Sequence, residues 1–300
     1  MNSIAGKIGF VGIGAMGTPM AANLIKAGYQ LAIYDADPGR AQAFAATHEV
    51  GVAKDLVELG SDSDIVITML PDGKIVRKVV CGANDDFNNC IAAGLKPGAT
   101  VIDMSSSSPI GTRELGALLD QNGIKLIDAP VSGGVKRAVS AELAIMVGGD
   151  PAIFEQYRPL FGKMGGQIFH VGLLGAGHAI KALNNYVSAA GLVAACEAVI
   201  AGQRFGLDPE VIVDILNAST GMNNTTKIKM KQFMLSGAFN AGFTTGLMAK
   251  DVRTALEIAQ AMGAPTLLAQ PCASIWDDAA KTLGPAADHT AMFKFLEEST

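Results

Sequence analysis

Along the first 170 residues, short apolar runs rich in β-branched side chains alternate with segments whose apolar residues recur at helical spacing. KIGFVGIG, YQLAIYD, DIVITML, ATVIDMS and IKLIDAP read as buried strands, and LAIMVGG and QIFHVG add two further strand candidates. Between them TPMAANLIKAG, RAQAFAA, TRELGALLDQNG and PAIFEQYRPLFGKM read as helices, the first stopping at Gly28. Strands alternating with helices of about ten residues predict a parallel sheet covered on both faces. GANDDFNNC reads as a solvated loop.

Past Gly175 the strand pattern disappears. HAIKALNNYVSAAGLVAACEAVIAGQRFG predicts a single helix of about 28 residues, whose Ala and Gly content permits close helix contacts and burial along much of its length. PEVIVDILNAS, the segment around TKIKMKQFML, GLMAKDVRTALEIAQAMG and HTAMFKFLEES supply further helices, the first opened by Asp208 and Pro209 in cap-like positions. Two domains follow, an α/β domain over residues 1–170 and an all-helical one over 171–300, joined through the long central helix.

Composition narrows the function classes. Hydrophobic residues make up 49% of the chain and charged ones 17%, with a net charge of -5. No broad positive field exists for a phosphate backbone, so nucleic acid is not expected as a partner, although a small anion can still find a local Lys or Arg. Cys81, Cys90, Cys196 and Cys272 are far apart without a CxxC, as expected of reduced thiols in the cytoplasm. The first apolar run is broken by glycines and lacks a signal-peptide layout. The weakly polar stretch from Tyr186 to Ala201 falls short of a membrane span, so no membrane partner is expected.

VGIGAMG sets Gly12, Gly14 and Gly17 in a GxGxxG arrangement between a strand and a helix, the context of a dinucleotide fingerprint. Gly12 permits the tight turn, Gly14 lets a pyrophosphate approach the backbone, and Gly17 lets helix and sheet pack closely; Ala15 and Met16 complete the cofactor loop. The second strand ends in Asp35, 23 residues after Gly12, where a carboxylate binds an adenosine ribose and repels an added 2′-phosphate. NAD is therefore favoured, with NADP left open by Arg40 five residues further on. Leu70, Pro71 and Ser106 follow the ends of later strands, where the cofactor lies in an open α/β sheet of this Rossmann-like kind.

On the long helix, Lys181, Asn184 and Asn185 interrupt a surface otherwise rich in Ala, Leu and Val, and Lys181 and Asn185 at i and i+4 share one face. Such groups need partners or a task. They suit hydride transfer at an alcohol, with Lys181 exchanging the hydroxyl proton and Asn185 orienting it; a solvated face or a helix–helix hydrogen bond is the plainer reading. Ser132, Gly133 and Gly134 end DAPVSGG in a turn whose hydroxyl and N–H groups can hold an anionic oxygen.

Four blocks, FVGIGAMGTPMAANLIKAG, DAPVSGG, GAGHAIKALNN and LMAKD, resemble the 3-hydroxyisobutyrate dehydrogenase, or β-hydroxyacid dehydrogenase, family, in the family's order and across nearly the whole chain. The resemblance implies oxidation of a β-hydroxy carboxylate, or reduction of the matching semialdehyde or keto form, with a nicotinamide cofactor. It places the catalytic lysine on Lys181, the neighbouring asparagine on Asn185, the carboxylate site on Ser132, Gly133 and Gly134, and a lysine that closes over cofactor or substrate on Lys250, beside Asp251. Phe243 matches a family aromatic that walls the site or simply packs in the core.

The departures bear on the substrate. VKRAVSAEL follows the SGG turn, so Lys136 and Arg137 bring charge and Ala141 and Glu142 stand where Gly and Thr are usual. Arg137 turned inward implies a second acidic group; turned outward, it is a surface cation. Met222 replaces a frequent arginine. The expected partner is a small anionic hydroxy or aldehyde acid. Other readings are a reductase of a bulkier aldehyde acid or an imine, and a non-enzymatic nucleotide-responsive interaction protein. His178, one turn before Lys181, either tunes the site electrostatically or, more plainly, is a packing or surface histidine; the four histidines show no metal-ligand spacing, and the apolar helices suggest a homodimer or homotetramer.

Overall fold

Buried β-branched runs form the middle of the first of two units, in a computed structural model that describes residues 6–299. Strands β1 (Ile8–Val11), β2 (Leu31–Tyr34), β3 (Gly51–Val52), β4 (Ile65–Thr68), β5 (Thr100–Asp103) and β6 (Lys125–Asp128) pair in parallel in the order β3-β2-β1-β4-β5-β6. This is the strand order of a dinucleotide-binding sheet, with the crossover on either side of β1. Every residue of β1, β4 and β5 is buried, as central parallel strands covered on both faces require.

Alternate side chains enter two separate cores. Phe10, Ile67, Ile102 and Ile127 point into one with Met20 and Leu24 of α1 (Gly17–Lys26) and Phe44 of α2 (Pro38–His48). Their neighbours Val11, Val66, Val101 and Leu126 point into the other, with residues of α3 (Leu56–Ser61), α4 (Gly73–Cys81), α5 (Ile91–Gly94) and α6 (Pro109–Asp120). The two-residue period of an extended strand thus builds both layers.

Beyond β6 the chain adds β7 (Val131–Ser132), α7 (Gly134–Val139), β8 (Leu143–Gly148), α8 (Pro151–Phe161) and β9 (Gly165–Gly172). LAIMVGG, expected within a parallel sheet, runs antiparallel to β6 and β7, and only β9 pairs with it in parallel. The reason lies in the connection: between β7 and β8 stands one six-residue helix, too short to carry the chain back across a sheet face.

The chain divides between Lys181 and Ala182, inside α9 (Ala176–Phe205). The second unit continues with α10 (Pro209–Ala218), a π-helical segment Thr225–Leu235, α11 (Thr245–Ala261), α12 (Ala269–Leu283), a single 3-10 turn His289–Ala291 and α13 (Met292–Glu298). Its core gathers Leu192, Cys196 and Val199 of α9 with Met230, Met248, Val252 and Trp276. Asp208 caps α10 by accepting from the Glu210 N–H at 2.8 Å, with Pro209 at the first helical position, as the sequence predicts. The π winding of Thr225–Leu235 is not encoded in its apolar spacing.

Two expectations about α9 change. Its 30 residues are long and apolar enough to cross a membrane by length and composition, against the shorter span read from the sequence. Burial is also less continuous than expected: 44% of the most apolar window is inside the fold, while Val187 and Phe205 are exposed. The Ala-rich side supplies the contacts, and the larger side chains at Ile180, Leu183 and Val187 face outward.

Candidate functional site

β1 delivers the chain to Gly12, whose φ of +100° only glycine adopts at little cost. A Cβ there would collide with the Met69 carbonyl, and one at Gly17 with the Gly12 carbonyl itself. Gly14 differs, because nothing lies within 4 Å of where its Cβ would stand. The N–H groups of Gly14, Ala15 and Met16 donate to no acceptor among the described residues, and they precede the positive end of α1. Open space, unspent donors and a helix N-terminus fit a pyrophosphate.

Asp35, just past β2, closes the same loop. Its Oδ2 accepts from the Ile13 N–H at 2.7 Å and its Oδ1 from the Asp37 N–H at 2.8 Å, while Arg40 Nη1 stands 3.4 Å from Oδ1. Arg40, which left NADP open in the sequence, thus pairs with Asp35 while remaining half exposed. Leu70 reaches this loop too: its Cδ2 would lie 3.1 Å from a Cβ on Gly12, and its N–H donates to Ser105 Oγ at 2.9 Å. Pro71 is exposed beside it, and Ser106 is half-buried beyond β5.

A polar network fills the space where β5 and β6 end and α9 begins. Asp103 Oδ1 accepts from the Thr68 hydroxyl at 2.9 Å and the Ser105 N–H at 3.0 Å, and its Oδ2 from the Ser107 hydroxyl at 2.7 Å. Asp128 takes the first turn of α9: Oδ1 accepts from the Gly175 N–H and Oδ2 from the His178 N–H, both at 2.7 Å. The His178 ring lies between the two carboxylates, 3.6 Å from Asp103 and 3.7 Å from Asp128. Its Nε2 faces the Ser105 carbonyl at 3.2 Å. Nδ1 meets the Thr112 hydroxyl at 2.8 Å. Asp103, Asp128 and His178 are all buried. Burial pushes the Asp128 carboxyl above the usual carboxylate range, opposed by His178 and the two N–H donors.

Val131–Ser132 forms β7, and the chain then turns through Gly133 and Gly134, with φ of +133° and +67°. Ser132 is half-buried and both glycines are exposed. Lys181 is half-buried near the start of α9 and Asn185 follows one turn later. In the second unit Asn185 is buried and its Nδ2 donates to Asp251 Oδ2 at 2.6 Å; Asp251 Oδ1 pairs with Lys250 Nζ at 3.1 Å. Asp251 is thus the hinge of a three-residue set joining Asn185 to Lys250, rather than half of an exposed charge pair. Phe243 packs against the core of this unit, its ring edge-on to His289 at 5.8 Å.

Sequence reasoning missed Asp103, Asp128 and Thr112, and left His178 between an electrostatic role and plain packing. One signal was present: the apolar runs VID and LID each end in aspartate, and His178 is the third residue of the long helix α9. The cysteines offer no reactive thiol, since burial pushes Cys81 and Cys196 up to about 12 and Cys272 up to about 11.

Two family models cover the chain. Residues 7–172 match the NAD binding domain of 6-phosphogluconate dehydrogenase, and residues 175–296 match the NAD-binding domain of NADP-dependent 3-hydroxyisobutyrate dehydrogenase. The chain belongs to the 3-hydroxyisobutyrate dehydrogenase, or β-hydroxyacid dehydrogenase, family. Among its relatives, 2-(hydroxymethyl)glutarate dehydrogenase of Eubacterium barkeri is 36% identical over 98% of this chain and 96% of its own. The 2-hydroxy-3-oxopropionate reductase of Escherichia coli is 35% identical over 97% of both chains. The solved Mycobacterium tuberculosis 3-hydroxyisobutyrate dehydrogenase with L-serine superposes with a TM-score of 0.87 at 36% identity, covering 97% of this chain and 99% of that one. Family membership makes the protein an NAD(P)-linked oxidoreductase of the hydroxy-acid class.

Proposed function

We propose that the protein interconverts a small β-hydroxy carboxylate and its semialdehyde or keto form, with NAD the preferred cofactor. The observation that carries this reading is Asn185, buried on α9 and oriented by Asp251, one turn after the half-buried Lys181. The Asp251 bond satisfies Asn185 and fixes its amide on the helix face it shares with Lys181, the placement an orienting group needs. When bound, the nicotinamide supplies the hydride acceptor or donor. Lys181 takes the hydroxyl proton as the alcohol carbon is oxidised, and returns it in reduction. Asn185 orients the reacting oxygen, and Ser132 with the Gly133 and Gly134 backbone holds the substrate carboxylate.

In this reading Gly12, Gly14, Ala15, Met16 and Gly17 hold the pyrophosphate, Asp35 takes the ribose hydroxyls, Leu70, Pro71 and Ser106 line the cofactor, and Lys250 is a further cofactor residue. The preference for NAD is supported by the Asp35 carboxylate, whose side chain is 7% exposed and which opposes a 2′-phosphate. The names of relatives span short hydroxy acids and a substituted glutarate, so the proposed substrate is a small anionic hydroxy or aldehyde acid. A cytoplasmic homodimer or homotetramer without nucleic-acid or membrane partners completes the proposal, supported by the exposed Val187, Phe205, Val211 and Ile215.

The test is a panel of β-hydroxy acids against NAD and NADP, read at the reduced-nicotinamide absorbance. At least one acid should be oxidised, Lys181→Ala should abolish turnover while still binding cofactor, and Asp35→Ala should erode the preference for NAD. Turnover by Lys181→Ala at the parent rate would remove that residue from the chemistry.

A further inference from the structure

Seven arginines lie among the described residues, and six of them have partners. Arg40, Arg77, Arg158 and Arg253 pair with carboxylates, and Arg113 and Arg204 donate to carbonyls. Arg137 is the exception: no acid or carbonyl among the described residues accepts from its guanidinium.

Its position is nevertheless well fixed. α7 ends in a Schellman motif, with the Glu142 N–H donating to the Arg137 carbonyl at 2.8 Å and the Ala141 N–H to the Ala138 carbonyl at 3.3 Å. Ala141 takes the left-handed conformation that closes the motif, with φ of +57°. From that anchored backbone the side chain runs back along the helix, as helical side chains do, and lies across the SGG turn. A Cβ built on Gly133 would stand 2.9 Å from Arg137 Cβ, 3.3 Å from Cγ and 2.7 Å from Cδ. Gly133 makes room for the arginine stem, and the guanidinium begins one bond beyond Cδ. The nearest acid in sequence is turned away: Glu142 Oε2 accepts from the Ser140 hydroxyl at 2.8 Å. Arg137 and its neighbour Lys136 are both exposed, so this side of the turn carries two positive charges and no acid.

We infer that Arg137 binds a second carboxylate of the substrate, so that the protein acts on dicarboxylic β-hydroxy acids or the matching aldehyde diacids. This rests on the reading that Ser132, Gly133 and Gly134 hold the first carboxylate. A planar guanidinium against that turn presents paired N–H donors to a carboxylate a few carbons from the reacting centre. An unpaired cation there favours a diacid and gives a chain ending in methyl nothing in exchange for dehydrating it.

Calorimetric binding of glutarate and butyrate, two inert acids differing in the second carboxylate, separates this inference from the reaction itself. The cofactor-loaded protein should bind glutarate about tenfold or more tightly than butyrate, Arg137→Ala should collapse that ratio, and Arg137→Lys should restore part of it. The kinetic counterpart is the ratio of kcat/KM for matched hydroxy diacids and monoacids, which should fall through KM in Arg137→Ala. Equal binding of the two acids by the parent, or a ratio that survives Arg137→Ala, overturns the inference. Arg137-dependent glutarate binding without turnover of any hydroxy acid would uphold Arg137 as a carboxylate site for diacids and instead sink the proposed reaction.

Discussion

Asp128→Asn tests the buried network most directly. In the parent, one carboxylate satisfies two backbone donors at the start of α9, the Gly175 and His178 N–H groups, each at 2.7 Å. An asparagine of the same shape has one oxygen, so its NH2 group must face the second donor. One buried N–H loses its acceptor at a cost of about 1–3 kcal/mol, and the remaining bond loses its charge assistance. Relief of the burial that pushes the Asp128 carboxyl upward works in the other direction. Breaking one member of a buried charge cluster outweighs such relief as a rule, so a net loss of about 2 kcal/mol is expected. For a unit of this size that corresponds to a melting temperature lower by about 4–8 °C in differential scanning calorimetry. Because the lost bond secures the turn that precedes Lys181, kcat should fall as well. A variant that melts at or above the parent temperature would refute the reasoning, since the desolvation penalty would then exceed the value of the cap.

Three further outcomes are expected. His289 is buried against the Phe243 carbonyl, Asp288 and Lys229, and burial first, then Lys229, pushes it down to about 4. A neutral histidine with a depressed folded-state pKa stabilises fully above about pH 6.5; about 3 kcal/mol is lost as pH falls towards 4, and denaturant titrations should show His289→Gln flattening that slope. Ala141→Gly relieves a left-handed alanine and should raise stability by about 1 kcal/mol in urea unfolding, whereas a loss would show the turn to be unstrained. Asp251→Ala strips Asn185 of its acceptor and should lower kcat about tenfold to a hundredfold with a smaller change in KM; an unchanged kcat would separate Asn185 orientation from the reaction.

The parts of this fold written in local patterns were legible. β1, the glycine turn and α1 follow one another in sequence, and Asp208 and Pro209 mark the start of α10 by cap chemistry alone. The two-residue β3 and the short α5 are too brief to show a period. β8 carries the apolar run of a buried strand, but its direction is set by the length of the preceding connection, which apolar spacing does not report. Within the candidate site, the fingerprint loop, Asp35 and the Lys181/Asn185 pair are read from spacing. The Asp103, Asp128 and His178 cluster joins residues 50 and 75 positions apart and becomes visible only once the strands are aligned side by side.

The open space beside Gly14 separates foldability from ligand capture. Gly12 and Gly17 are committed to the protein's own carbonyls, so any side chain there disturbs the sheet and α1 together. Gly14 is committed to nothing internal, and its φ lies outside the left-handed range. A methyl group at that one position should leave the melting profile of the ligand-free chain intact while occupying the approach of the pyrophosphate. Gly14→Ala is therefore the natural reference protein for every binding measurement above: a correctly folded background from which dinucleotide-dependent signals can be subtracted.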